Sequence, residues 1–453
     1  MLLLHNDEST LSDQLGRADL RNELGRAIAR CRPPHVFGLH GEWGSGKTSF
    51  LRQLRFELDH IKDGEDGHGL TSNHFGNHVV TVWFEAWRYQ SEPLPVIALL
   101  QEIRRELEQR SLVKRLSSEA KKLAEIGTRT LLNGFDDVAK LLKLEGLATK
   151  GLQAAGENWE KEHLQARLGT DSVRDFLEKA VGGLLNYKAR DSQEGTARVV
   201  VFIDDLDRCQ PGTAFKLLEA LKIHLSLPNC VFVLGMNQQT VVEAIASEIK
   251  RDETDAATKL KAEAYLEKIC TNIWRLPLPQ TIHGFFVDLL TDQPDGLKAQ
   301  LEKVLKTCRC LPPNPRRLKA LANIVNRLWI GLQDKDRWSA TMAQATLVYA
   351  YVYQFHGELF RRWQWDRDYL RRIVEFAQGT QAIGDLDKAE GFAGLIRPKQ
   401  QLEDDGTGAA ATRSTFPDPS VAGVFWITPL IQKGGPYHDA RPDDFTPLLD
   451  LGL

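Results

Sequence analysis

The spacing of apolar positions along this chain changes several times, and each change predicts an element. Leu15, Leu20, Leu24 and Ile28 recur at helical intervals until Pro33-Pro34 ends the pattern. The short apolar run Val36-Phe37-Gly38-Leu39-His40 reads as a buried strand, and it feeds a glycine-rich turn over 41–46. Helical spacing then holds from about Lys47 to His60. The stretch 63–77, with four glycines, reads as a loop, and a second strand follows over 79–84. From Pro95 to about Ile126, Val96, Leu99, Leu100, Ile103 and Leu107 begin one long or broken amphipathic helix, with another over 130–152. Strand-like runs return at 199–203 and 230–234, each after a helical stretch. Strands that alternate with helices predict a parallel α/β sheet with right-handed crossovers. After Pro279 the pattern is helical to about Phe392, and the Gly/Ala/Thr run at 406–412 opens an irregular tail.

Length and composition narrow the classes. The 453 residues suggest about three domains. With 42% hydrophobic and 26% charged residues, disordered, collagenous and polytopic membrane chains are excluded. Lys and Arg number 58 against 61 Asp and Glu, so no basic field advertises a nucleic acid. Only Cys308 and Cys310 of the six cysteines are close neighbours, without a second pair to complete a zinc site. The thiols read as reduced. Met1-Leu2-Leu3-Leu4 is too short for a signal peptide, and no window reaches the ~18 apolar residues of a membrane span, which predicts a cytoplasmic protein. His74 and His78 stand four apart but in the loop, where no helix face aligns them.

The chemistry concentrates in two places. Gly41-Glu42-Trp43-Gly44-Ser45-Gly46-Lys47-Thr48 matches G-x-x-x-x-G-K-[ST] in full, between a strand and a helix that continues through Ser49. Glycines let successive N–H groups converge on phosphate oxygens at a helix N-terminus. In that setting Lys47 reaches the β- and γ-phosphates and Thr48 ligates Mg²⁺. The second place is Asp204-Asp205 at the end of the strand Val199–Ile203, at the sheet edge where ligands of open α/β sheets bind. Asp204 is the expected second metal ligand, and Asp205 the base or water-positioner. Further candidates are Glu85 after the second strand, Asn237 after the strand ending at Met236, and Arg316 and Arg317 at a helix start.

With these residues the chain resembles the KAP family of P-loop NTPases, over roughly residues 6 to 330. The resemblance rests on Gly41–Thr48, on Trp83-Phe84-Glu85-Ala86-Trp87-Arg88-Tyr89, and on Ile203-Asp204-Asp205-Leu206-Asp207-Arg208-Cys209. Tyr265-Leu266-Glu267-Lys268-Ile269 and Asn314-Pro315-Arg316-Arg317-Leu318-Lys319 add to it. It implies an additional-strand P-loop core, kin to AAA+ and STAND ATPases, with a helical lid. It also implies ATP and Mg²⁺ as ligands, a homo-oligomer, and a partner protein in phage exclusion or another defence or signalling system. Family members often carry transmembrane helices in the insertion; here, over about 106–194, it is charged and amphipathic. The family also commonly has an acid near Asn237.

The expected organisation is therefore a core over 1–105 and 195–280 interrupted by a helical insertion at 106–194, a helical lid at 281–400, and a tail at 401–453. The expected function is an Mg²⁺-dependent ATPase acting as a conformational switch, with Lys47, Asp205, Glu85 and an arginine (Arg208, Arg316 or Arg317) as catalytic groups. The alternative is a nucleotide-gated scaffold with little turnover, and a DNA-translocating motor is the least favoured reading.

Overall fold

The computed structural model describes residues 4–59, 79–91, 198–223, 229–249, 255–277, 282–290, 311–333, 340–355, 357–366, 400–403 and 411–414, with isolated positions at 95, 98, 99, 102 and 279. The loop at 63–77 with His74, the following His78, the helical insertion, Cys308 and Cys310, and the tail beyond 414 lie outside the described residues.

The chain divides into two compact units. One comprises Ser9–Asp13 and Arg17–Pro277. Its sheet is built from β1 (His35–His40), β2 (Val79–Glu85), β3 (Arg198–Asp204), β4 (Cys230–Met236) and β5 (Asn272–Arg275). The strands run parallel in the order β2-β3-β4-β1-β5. The strand after the glycine-rich turn's helix, β2, is thus separated from β1 by two strands, β3 and β4. An extra strand, β4, separates β1 from the acid-bearing β3, as expected of the additional-strand class.

Continuous apolar runs form these strands because both faces of the sheet are covered. Val79, Trp83, Val200, Phe202, Val231 and Val233 pack with Phe37 and Leu39 against α1 (Ala18–Arg30) and α2 (Lys47–Asp59). The alternate residues Val80, Val82, Phe84, Val201, Ile203, Phe232 and Leu234 pack on the opposite face. There they meet α3 (Pro211–Ile223), α4 (Gln238–Ile249) and α5 (Asp255–Ile269). The buried Arg198 at the head of β3 donates to the carbonyls of Ile28 (2.8 Å) and Cys31 (3.0 Å), satisfying the C-terminal end of α1. Burial pushes the thiols of Cys209, Cys230 and Cys270 up to about 12, so they are unreactive packed groups.

A buried polar network holds α1 and the segment before it to α2. Arg21 donates to Glu57 (2.7 Å), Gln53 (3.0 Å) and Asp13 (3.1 Å). Gln53 in turn donates to the carbonyls of Thr10 and Ser12. An arginine with this many acceptors can be buried without an uncompensated charge.

The second unit comprises Met1–Glu8, Gln14–Gly16 and Leu278–Leu453. It contains α6 (Ile282–Leu289), α7 (Pro315–Gln333), α8 (Ala340–Phe355) and α9 (Gly357–Trp365), in keeping with the helical pattern of the sequence. Asn314 caps α7 by accepting the Arg317 N–H at 3.2 Å, with Pro315 in the first turn where its missing donor costs nothing. Leu318, Leu321, Ala322, Val325 and Trp329 form the buried stripe of α7.

Two elements differ from expectation. β5 pairs with β1 from Phe37↔Asn272 to His40↔Arg275, but Asn272-Ile273-Trp274-Arg275 is a short, partly exposed edge strand with no apolar run to announce it. In the tail, expected to be irregular, β6 (Gln400–Glu403) and β7 (Ala411–Ser414) form an antiparallel pair. Both are largely polar, so hydrophobic period gave no strand signal there.

Candidate nucleotide site

The site lies at the carboxyl ends of β1, β3 and β4. The turn after β1 is shaped by Gly44 (φ 78°) and Gly46 (φ 91°), in the left-handed region that side chains disfavour. Gly41 N–H donates to the Met236 carbonyl (3.2 Å), fastening the turn to β4, and Ser45 N–H donates to the Glu42 carbonyl (3.0 Å). Lys47, 7% exposed, opens α2 and folds back so that Nζ donates to the Gly41 carbonyl at 2.8 Å. Thr48 and Ser49 follow in the first turn of the same helix, and Ser49 Oγ accepts the Thr10 N–H at 3.2 Å. Arg17, also buried, donates to the Ser45 carbonyl (2.8 Å) and the Pro277 carbonyl (2.9 Å). Trp43 stands out from the turn, 63% exposed, beneath the Arg208 guanidinium at 5.9 Å from its centroid.

Asp204 ends β3 at 1% exposure, and neither carboxylate oxygen has a hydrogen-bond partner among the described residues. Desolvation first, then the neighbouring Asp205, pushes its pKa up to about 6. Thr48, the Asp205 N–H and the Lys47 cation pull the other way; Thr48 is near enough to act, though short of a well-formed hydrogen bond. Gly235 on β4 makes room for this carboxylate: a Cβ there would lie 2.6 Å from Asp204 Oδ1 and 2.6 Å from Leu51 Cδ1.

Asp205 leaves the strand in the left-handed conformation (φ 58°, ψ 30°), which an Asp tolerates better than a branched residue. Burial raises its pKa, with Asp207 and Glu85 adding to the effect and Arg208 and Lys47 opposing it. Arg208 Nε lies 2.9 Å from Asp205 Oδ1. Glu85, opposite Asp204 in the β2–β3 register, accepts from Trp83 Nε1 (3.3 Å) and pairs with Arg52 (3.5 Å) and Arg88.

Asn237 sits at the end of β4, where its Oδ1 accepts the N–H groups of Gln239 and Thr240 and caps α4. Its amide nitrogen donates to Glu42 Oε2 (3.2 Å), so this position is joined to the glycine-rich turn. Arg316 lies in the helical unit and pairs there with Asp7 (2.6 Å), while Arg317 lies over the Phe355 ring at 5.3 Å.

Gly41–Ser49, Asp204, Asp205, Glu85 and Asn237 are therefore brought to one edge of one sheet. Sequence reasoning missed Asp207, whose Oδ2 lies 3.4 Å from Lys47 Nζ. The D-D-L-D spacing carried the signal, since one 3₁₀ turn returns the third acid towards the first. It also missed Arg17 and Gly235, whose roles depend on contacts distant in sequence.

A parallel sheet with an extra strand between a glycine-rich loop and a buried acid defines a P-loop domain. The chain belongs to the KAP family: the model described as "KAP family P-loop domain" matches residues 17–329. It is similar to the phage T7 exclusion protein of Escherichia coli (strain K12), at 23% identity over 423 residues, covering 86% of this chain and 50% of that protein. The chain thus spans about half the length of that relative. Among solved structures it matches the ORC2 protein of Aeropyrum pernix (ADPNP-ADP complexes), at 11% identity and a TM-score of 0.37, covering 86% of this chain and 82% of that one.

Proposed function

We propose that this protein is an Mg²⁺-dependent ATPase that uses hydrolysis as a conformational switch. The observation that carries the reading is the Asp204 carboxylate, buried without a hydrogen-bond partner beside the loop that holds Lys47 and Thr48. A desolvated carboxylate kept unpaired is costly unless a cation completes it. Asp204 and the Thr48 hydroxyl fit Mg²⁺, which is usually held by one or two protein oxygens together with substrate phosphates. No group of three or more His, Cys, Asp or Glu gathers into a metal cluster among the described residues. Bound there, Mg²⁺ would neutralise charge on the phosphates.

The chain's own groups would do the rest. N–H groups of Glu42–Thr48 would hold the phosphates, and Lys47 would balance charge as the γ-phosphoryl departs. Asp205 would orient water for attack, with Glu85 as its neighbour across the register. Asn237, through Glu42, would report on the occupied loop. Arg208, or Arg316 or Arg317 from a second copy, would add the remaining positive charge.

Similarity to a phage exclusion protein supports a place in phage defence or a related signalling system; action in the bacterial cytoplasm, as an oligomer with a partner protein, is part of the same proposal. No helix among the described residues is long and apolar enough to cross a membrane.

The test is phosphate release with Mg-ATP beside nucleotide titration. Lys47→Ala should weaken binding by about tenfold or more, whereas Asp205→Asn should bind normally and turn over about 100-fold or more slower. Equal loss of binding in both variants would refute this division of labour. A second reading, a nucleotide-gated scaffold with little turnover, draws on the ion pairs of Asp205 with Arg208 and of Glu85 with two arginines. Carboxylates so engaged are poor bases until something releases them. Turnover that appears only with a partner would favour it.

A further inference from the structure

The third acid of the D-D-L-D run is not needed by the roles given above, yet it makes the closest carboxylate approach to the loop lysine. Asp207 Oδ2 lies 3.4 Å from Lys47 Nζ, with side-chain exposures of 6% and 7%. Its other oxygen, Oδ1, is buried without a hydrogen-bond partner among the described residues. The other partner of Lys47 Nζ is a neutral carbonyl, that of Gly41. The approach is built by the backbone. Asp205 turns left-handed, and Leu206–Arg208 forms a single 3₁₀ turn closed by Arg208 N–H to the Asp205 carbonyl (3.1 Å). This carries the chain back so that a residue 160 positions away in sequence faces Lys47.

We infer that Asp207 is a positioning residue that holds the Lys47 ammonium in competition with nucleotide phosphates, and so sets the affinity of the loop for nucleoside di- and triphosphates. The inference rests on the nucleotide reading of the loop. Phosphate oxygens that reach Lys47 must approach the Asp207 carboxylate as well, and like charges in a poorly hydrated site repel strongly. Part of the attraction of Lys47 is already satisfied by Asp207. Binding must displace or share that counter-ion, which lowers affinity and favours exchange. A P-loop with its own internal anion is thereby tuned to release nucleotide, a property a switch requires.

A purely structural Asp207 makes the opposite prediction. If it only supports the loop, removing its charge weakens binding. The measurement is titration of the full-length protein with N-methylanthraniloyl ADP and ATP, in EDTA and in Mg²⁺, alongside thermal melting. In EDTA, Asp207→Asn should bind about tenfold or more tightly than wild type, and Asp207→Glu, which keeps the charge, should stay within about threefold of wild type. Asp207→Ser supplies a second neutral variant should the Asn protein fold poorly. The gain should shrink in a Lys47→Ala background, because the carboxylate acts through that ammonium. Without nucleotide, Asp207→Asn should melt below wild type, since it removes the closest counter-ion of the buried Lys47, and nucleotide should raise its melting temperature by more.

Unchanged or weaker binding by both neutral variants in EDTA, with wild type binding and Lys47→Ala impaired, would overturn the inference and leave the nucleotide reading standing. Failure of wild type to bind, or wild-type affinity in Lys47→Ala, would overturn the nucleotide reading and this inference with it.

Discussion

Two residues carry unusual costs at this site. Asp204 is a carboxylate with no hydrogen-bond partner in a nearly closed environment. Such a group is retained for what it binds, at the expense of stability. In EDTA, Asp204→Asn should therefore unfold at higher urea than wild type, by about 1–3 kcal/mol, because an amide is cheaper to bury than an unpaired charge. The same variant should lose Mg²⁺-dependent nucleotide binding. Equal or lower stability in the urea titration would mean the carboxylate is better satisfied than its surroundings indicate. Gly235 is the complementary case. Adding one methyl forces a contact of 2.6 Å on both Asp204 and Leu51. Gly235→Ala should cost about 1–3 kcal/mol and disturb the acid, with metal-dependent nucleotide affinity falling alongside the melting temperature.

At the scale of elements, buried polar bonds fasten the P-loop helix to what precedes it. Arg21 gathers Glu57, Gln53 and Asp13. Arg21→Met removes the cation and leaves Glu57 buried, which should cost about 3–5 kcal/mol in chemical unfolding. A loss below about 1 kcal/mol would show that the acid readily finds water. The cap of α7 is a smaller effect: Asn314→Ala should cost about 1 kcal/mol. Strand elements were readable where both faces are buried, as in Val199–Ile203, because continuous apolar runs have few other uses. β5 and the β6–β7 pair were not, because edge and polar strands satisfy backbone pairing without an apolar signature.

For the whole molecule, the formal charge of −3 argues against polyanion partners and the DNA-motor reading. Duplex DNA should not be retained at low ionic strength, and salt-sensitive retention in a filter or anisotropy assay would reopen that reading. The proposed oligomer is checked by light scattering, where Mg-ATP should raise the molar mass in wild type and not in Lys47→Ala.

The sequence alone determined the alternation of strands and helices, the glycine-rich loop with Lys47 and Thr48, and the acid pair at the end of a strand. Each is a local requirement: a buried strand needs an apolar run, a loop curled around phosphate needs glycine at Gly44 and Gly46, and a binding edge puts its acids where a strand ends. The inserted strand of the additional-strand class was implied by the family resemblance, and the tertiary structure identified it as β4 and added β5 on the far side of β1. The tertiary structure alone gave Glu85 two arginine partners, placed Gly235 under Asp204, and turned Asp207 onto Lys47. These depend on which residues meet after distant segments pair: the D-D-L-D spacing shows that a third acid is at hand, but only the left-handed turn at Asp205 aims it at Lys47.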